Sequence, residues 1–237
     1  MIIESLYPEI CCLYGDKGNT AYLQHCLPDA TFAETRLTAK PVFAEQPVDL
    51  FHMCSMSEHA QEIALKQLAP YRSELARMID DGQTTVLLTG NALELFGKYI
   101  QRPDGSRIDG LGLLDFYSVR QTPTRFNSLI LADFQGTEIV GYTSRFSHTY
   151  TDATDNYLFQ VEKGIGFNPD TKLEGVHQGN LYATYLPGPL LIANPAFTKT
   201  VLAGLGVTLP HLPFEDEVER AYRKKLAEYQ NPSLQLD

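Results

Sequence analysis

Val86-Leu87-Leu88-Thr89-Gly90-Asn91-Ala92-Leu93-Glu94-Leu95-Phe96-Gly97 opens as a β-branched and aliphatic run, bends at a glycine and continues with the apolar spacing of a helix. A strand from Thr84 to Leu88, a sharp turn at Gly90 and a helix start form the arrangement by which a nucleophile elbow holds a side chain in a strained pose. Here the bend carries no side chain, and on this segment alone a plain β-to-α turn explains the glycine. Working outward, Ile2 to Tyr7 and Val48 to Met53 are two more strand-like runs bounded by Pro, Gly, Asp or Ser. The stretch between the second and third is helical. Ser57 is an N-cap ahead of Ala60, Ile63, Ala64 and Leu68, Pro70 interrupts, and Tyr71 to Asp81 resumes until Gly82 supplies a left-handed C-cap. Strands joined by helices of this length require crossover connections and a mostly parallel sheet covered on both faces.

The second half is richer in strands. Phe116 to Val119, Ser128 to Phe134, Thr137 to Tyr142 and Leu181 to Leu186 fit, with Gln135-Gly136 as a hairpin turn. Pro195 to Leu205 and Phe214 to Gln230 read as helices, the latter with Glu215, Asp216, Glu217 and Glu219 ahead of Arg220, Arg223, Lys224 and Lys225, the order the helix dipole prefers. Asn231 to Asp237 reads as a frayed tail. With no repeat, low-complexity segment or linker, the expectation is one domain over residues 1–237. A net charge of −10 disfavours nucleic acid or an anionic membrane as partner, since both reward Lys and Arg clusters. No apolar stretch approaches the roughly 18 residues of a membrane span, Glu4 stands where a signal peptide needs a basic region, and Cys11, Cys12, Cys26 and Cys54 are too few for a disulfide framework. The expectation is a cytoplasmic protein.

Tyr14-Gly15-Asp16-Lys17-Gly18-Asn19 has the flavour of a phosphate loop, but a Walker A needs four residues between its glycines and then Lys-Ser/Thr. A tight turn before a helix starting near Asn19 or Thr20 accounts for it. Taken together, however, Leu6-Tyr7-Pro8-Glu9, Leu13 to Asn19, the elbow ending Leu95-Phe96-Gly97, and Thr184-Tyr185-Leu186-Pro187-Gly188-Pro189-Leu190-Leu191 with Asn194-Pro195 resemble one family in order and spacing. It is the class I glutamine amidotransferases of the cobyric acid synthase type, and most closely the glutaminase subunit of lipid II isoglutaminyl synthase. The resemblance runs nearly end to end. It implies a three-layer α/β/α sandwich, glutamine hydrolysis to ammonia, and a Mur-ligase-like synthetase partner that amidates the peptidoglycan stem peptide.

Departures from the family's pattern bear on its mechanism. The family elbow is close to Cys-Gly-Gly-Tyr-Gln-Leu-Leu-Gly; with its last glycine on Gly97, the nucleophile falls on Gly90, where no thiolate can form. The last strand of the family ends Thr-Tyr-Leu-His-Gly-Pro, and Pro187 stands where the histidine base would be. The glycine-rich loop after the second strand, whose N–H groups can face an oxyanion, aligns with Cys54-Ser55-Met56. Gly141-Tyr142-Thr143-Ser144-Arg145 replaces the usual Gly-Phe-Glu-Asn-His, whereas Thr122 to Asn127 keeps the arginine that the family places near the glutamine pocket, so the resemblance makes Arg125 a substrate-binding candidate; a solvated strand-edge arginine reads equally from the residues. His52, Cys54, Glu58 and His59 lie close in sequence, and a Cys with a nearby His is the minimum for thiol activation; a zinc ligand spacing is missing, and packing or loop roles also fit. Two functions stay open: a silent, GatD-like binding or regulatory subunit, or an active hydrolase with displaced chemistry on Cys54. No metal or organic cofactor is implied.

Overall fold

The computed structural model describes residues 1–234. Its centre is a six-stranded sheet in the order β13-β14-β4-β3-β1-β2, formed by β1 (Ile2–Leu6), β2 (Thr31–Thr35), β3 (Leu50–Met53), β4 (Thr85–Thr89), β13 (Val176–Gln178) and β14 (Leu181–Thr184). All pairings are parallel except β13 with β14. Because a parallel sheet is buried on both sides, its strands read as continuous apolar runs, and the pleat sorts them. Phe51, Met53, Val86 and Leu88 face one layer, packing on Ala64 and Leu68 of α2 (Glu58–Leu68) and Leu75 and Ile79 of α3 (Arg72–Asp81). Ile3, Leu50, Leu87 and Tyr182 face the other, against Tyr22 and Leu23 of α1 (Lys17–Cys26) and Phe197 and Val201 of α5 (Pro195–Gly204). The three-layer α/β/α arrangement read from the sequence is present, and its punctuation holds: Ser57 Oγ accepts from Ala60 N at 3.2 Å, and Gly82 closes α3 at φ +62°.

The second half adds two four-stranded sheets to that sandwich. One runs β10-β7-β5-β6, from β5 (Tyr99–Gln101), β6 (Arg107–Asp109), β7 (Tyr117–Arg120) and β10 (Ser147–Tyr150). The other runs β12-β11-β8-β9, from β8 (Phe126–Phe134), β9 (Thr137–Arg145), β11 (Phe159–Lys163) and β12 (Leu173–Glu174). The hairpin turn between β8 and β9 has Gln135 and Gly136 both at positive φ, the type I′ geometry that matches strand twist. β9 runs three residues beyond the expected end at Tyr142: Thr143, Ser144 and Arg145 pair with Ser128, Asn127 and Phe126 of β8, so the cross-strand ladder rather than an apolar pattern of their own extends the strand. A one-turn α4 (Leu190–Ala193) and the long α6 (Glu215–Gln230) complete the chain. The frayed tail is corrected for its first part: Leu234 N donates to Asn231 O at 3.2 Å and Leu234 packs beside Tyr229 and Leu131. Residues 235–237 lie outside the described residues.

Candidate functional site

Three neighbouring strands, β3, β4 and β14, end at the same edge of the central sheet. The loops that leave them converge where ligands commonly sit in an open α/β sheet, outside the carboxyl ends of the strands. One carboxylate ties these loops together. Asp16, fully buried just before α1, takes Gly188 N at 2.6 Å, Thr89 Oγ1 at 2.8 Å and Asn19 Nδ2 at 2.9 Å on Oδ1, and Ser55 N at 2.6 Å and Ser55 Oγ at 2.5 Å on Oδ2. The loop after β14 comes so close that a Cβ on Gly188 would lie 2.6 Å from the Cα of Asp16. The local sequence shows Asp16 only as part of a tight turn, because nothing local announces partners as far away as Gly188.

Gly90 keeps the strained elbow. Its φ is +60°, a left-handed conformation that side chains rarely adopt. From Gly90 to Phe96 the chain is a 3₁₀ stretch rather than the α-helix start the spacing predicts; it closes on Gly97, whose Cβ would strike the Phe116 ring at 2.5 Å. The space above Gly90 is taken. A Cβ built on Gly90 meets Ser55 Cβ at 2.4 Å and Ser55 Oγ at 2.9 Å. The N–H groups of the loop after β3 are also engaged: Ser55 N donates to Asp16, and Met56 N donates to Asn91 Oδ1 at 2.9 Å while Asn91 Nδ2 returns a bond to Met56 O at 2.8 Å. Oxyanion stabilisation needs such donors free and aimed at the reacting oxygen.

Around this elbow lies a cavity of about 80 Å³ lined by Ser55, Gly90, Asn91, Arg145, Tyr185 and Pro187, with Tyr14, Glu58 and Arg125 among its other walls. Gly90 and Pro187 thus share one cavity. Arg125 is exposed at this cavity, its Nη1 donating to Ser144 Oγ at 3.2 Å and to the Tyr14 hydroxyl, and its guanidinium 4.1 Å from the Phe146 ring. Behind the wall, buried Glu94 accepts from Tyr185 Oη at 2.9 Å and Gln61 Nε2 at 3.0 Å, and Gln61 Oε1 accepts from Arg120 at 2.9 Å. Burial pushes the Glu94 carboxyl up, against those hydrogen bonds.

The cluster of His52, Cys54, Glu58 and His59 is only half assembled. Cys54 Sγ lies 3.6 Å from His52 Nε2, but Glu58 turns to the cavity rim and His59 is exposed on α2. His52 points to the α1 side of the sheet, where Nδ1 meets Thr20 Oγ1 at 3.1 Å. Burial lowers the His52 imidazole and raises the Cys54 thiol, the latter further through the nearby Asp16 charge, so the pair rests as neutral imidazole and thiol. Cys54 does not line the cavity. Asp16, His52 and Cys54 do bring one ligand atom each within 4.8 Å of one another. Both Asp16 oxygens, however, are already occupied by five donors, which makes this group a hydrogen-bonded hub rather than a cation cage.

Residues 19–195 match the model of the CobB/CobQ-like glutamine amidotransferase domain. The lipid II isoglutaminyl synthase (glutamine-hydrolyzing) subunit GatD of Staphylococcus aureus (strain N315) is 36% identical over 195 residues, 80% of this chain and 78% of that protein. The subunit of the same name from Streptococcus pneumoniae (strain ATCC BAA-255 / R6) is 27% identical over 197 residues, 81% of this chain and 75% of that one. Among solved structures, a glutamine amidotransferase superposes with a TM-score of 0.58 at 14% identity, covering 86% of this chain and all (100%) of its own. A second, from Thermotoga maritima, gives 0.52 at 10% identity, covering 97% and 90%. These likenesses establish the fold as that of the glutamine amidotransferases, and the extent of the sequence match establishes more: the chain belongs to the CobB/CobQ-like glutamine amidotransferase family.

Proposed function

We propose that the chain is a GatD-like subunit that pairs with a Mur-ligase-like synthetase in peptidoglycan stem-peptide amidation, and that its own glutaminase site is silent. One observation carries the silence: the atom position from which a nucleophile would project is 2.4 Å from Ser55 Cβ, so Gly90 is a glycine the surroundings now require. Amide hydrolysis by the covalent route needs a nucleophile, a base and oxyanion donors. Gly90 offers no side chain, Pro187 no base, and the Ser55 and Met56 N–H groups are engaged elsewhere. Arg125 is then a remnant contact for glutamine at the cavity mouth. What remains useful is the scaffold as a partner for the synthetase, which would take ammonia directly or be regulated by this subunit. We place the protein in the cytoplasm; no helix among the described residues is long and apolar enough to cross a membrane, and all four cysteines are free.

A second reading has one observation in its favour, the 3.6 Å contact between Cys54 Sγ and His52 Nε2. In it, Cys54 carries displaced hydrolase chemistry. Its burial away from the cavity weighs against it. The deciding experiment measures glutamate release from glutamine by the purified chain, alone and with its copurifying synthetase, together with labelling by diazo-oxo-norleucine. The silent-subunit reading expects a stable complex, no glutamate above background and no labelled thiol. Turnover that follows the protein and is lost in Cys54→Ala would overturn it.

A further inference from the structure

Arg145, at the end of β9, is 3% exposed and lines the cavity beside Gly90 and Pro187. Only one of its nitrogens is satisfied by the protein. Nη2 donates to the carbonyls of Gly166 and, at 3.2 Å, Phe167; Nε and Nη1 are buried with no partner. The guanidinium sits 4.0 Å from the centre of the Tyr185 ring, and it forms no ion pair among the described residues. The two acids whose charge reaches it are committed elsewhere: Glu94 to Tyr185 and Gln61, and Glu174 to Tyr185 N at 2.7 Å and Thr184 Oγ1 at 2.8 Å. Burial raises both carboxyls, Glu174 to about 7, which further thins the counter-charge. A buried cation without a partner is costly, and a ring face compensates it only in part.

We propose that this cavity is a binding site for a small carboxylate, its charge taken up by Arg145 at the inner wall and Arg125 at the mouth. The inference rests on the reading of the cavity as a glutaminase site without its nucleophile. The space, about 80 Å³, is several times the roughly 10–15 Å³ that one water needs. Its lining sets two arginines against one acid, the half-buried Glu58. A carboxamide at the inner wall would offer Arg145 an acceptor but no charge, whereas a carboxylate adds the opposite charge and a second acceptor oxygen for the two unpaired nitrogens. The site therefore selects an acid over its isosteric amide.

Thermal unfolding and titration calorimetry with L-glutamate, L-glutamine and glutarate as probes, at matched ionic strength, test this. At ten times the dissociation constant the acids should raise the unfolding temperature by about 3–6 °C, and glutamine should bind at least about tenfold more weakly, the step one uncompensated charge interaction implies. Arg145→Met, which keeps the bulk and removes the charge, should abolish the preference for acid over amide while being no less stable than the wild type without ligand. If that variant does not fold, the glutamate-to-glutamine affinity ratio of the wild type still decides. Equal or tighter binding of glutamine, or no binding of either acid at millimolar concentration, overturns the proposal. Glutamate release, assayed separately, reports on the silent-site reading alone.

Discussion

Gly90→Ala is the smallest change that asks the site to hold a side chain, and its cost can be worked from the geometry. The added Cβ would sit 2.4 Å from Ser55 Cβ and 3.2 Å from Ser55 Cα, where carbon atoms prefer about 3.5–4.0 Å. Relieving an overlap of that size in a packed region costs about 1–3 kcal/mol. Holding an L-residue at φ +60° adds about 1–2 kcal/mol. Gly90→Ala should therefore destabilise by about 2–5 kcal/mol. Ser55→Gly on its own removes the Oγ bond to Asp16, about 1.5–3 kcal/mol for a bond to a charged group. In the double variant the Cβ–Cβ overlap is gone, leaving the backbone strain and the tight Cα approach. The two changes should then be coupled, with the pair less harmful than the sum of the singles by about 1–3 kcal/mol. Urea unfolding followed by far-ultraviolet circular dichroism measures all three variants, since the chain has no Trp to serve as a probe. A cost for Gly90→Ala below about 1 kcal/mol, or additive singles, would refute the claim that Ser55 occupies the nucleophile's space.

The same geometry says that restoring Gly90→Cys with Pro187→His is insufficient: glutamate release should stay at background, because Ser55 still fills the space and the loop N–H groups are bound to Asp16 and Asn91. Turnover in that double variant would show the loop to be no obstacle. Asp16→Asn should cost on the order of 3 kcal/mol or more in urea unfolding, because an amide group would face donors that now converge on a carboxylate. A shift of the unfolding midpoint within error would refute its role in joining β3, β4, β14 and α1. Glu174 has a folded-state value of about 7, above its ordinary 4.5, so the native state holds its proton longer than the unfolded chain does. Its contribution is at its best below pH about 4.5 and falls as pH rises to about 7, by up to about 3 kcal/mol, after which it is flat. Glu174→Gln should flatten that part of the stability profile, and an unchanged slope between pH 5 and pH 7 would count against the assignment.

Much of the architecture was legible in the chain because it is encoded by neighbours. The apolar runs of β1, β3 and β4, the Ser57 cap, the Gly82 stop and the Gln135-Gly136 turn each depend on residues within a few positions of one another. Short strands are not legible where that code is weak. β2 is half polar, β5 and β6 are three residues each, and β12 has two residues, Leu173 and Glu174; their pairing partners rather than their own patterns make them strands.

The sequence by itself determined the family, and the resemblance of its motifs sets Gly90 and Pro187 against the family's Cys and His, since each is a matter of which residue stands at a motif. Only the tertiary structure decided that Ser55 fills the space above Gly90, that Asp16 joins Ser55, Thr89 and Gly188, and that Arg145 is buried with two nitrogens unpaired. Asp16 and Gly188 are 172 positions apart. Contacts of that range arise from how layers stack and loops converge, and no local propensity carries them.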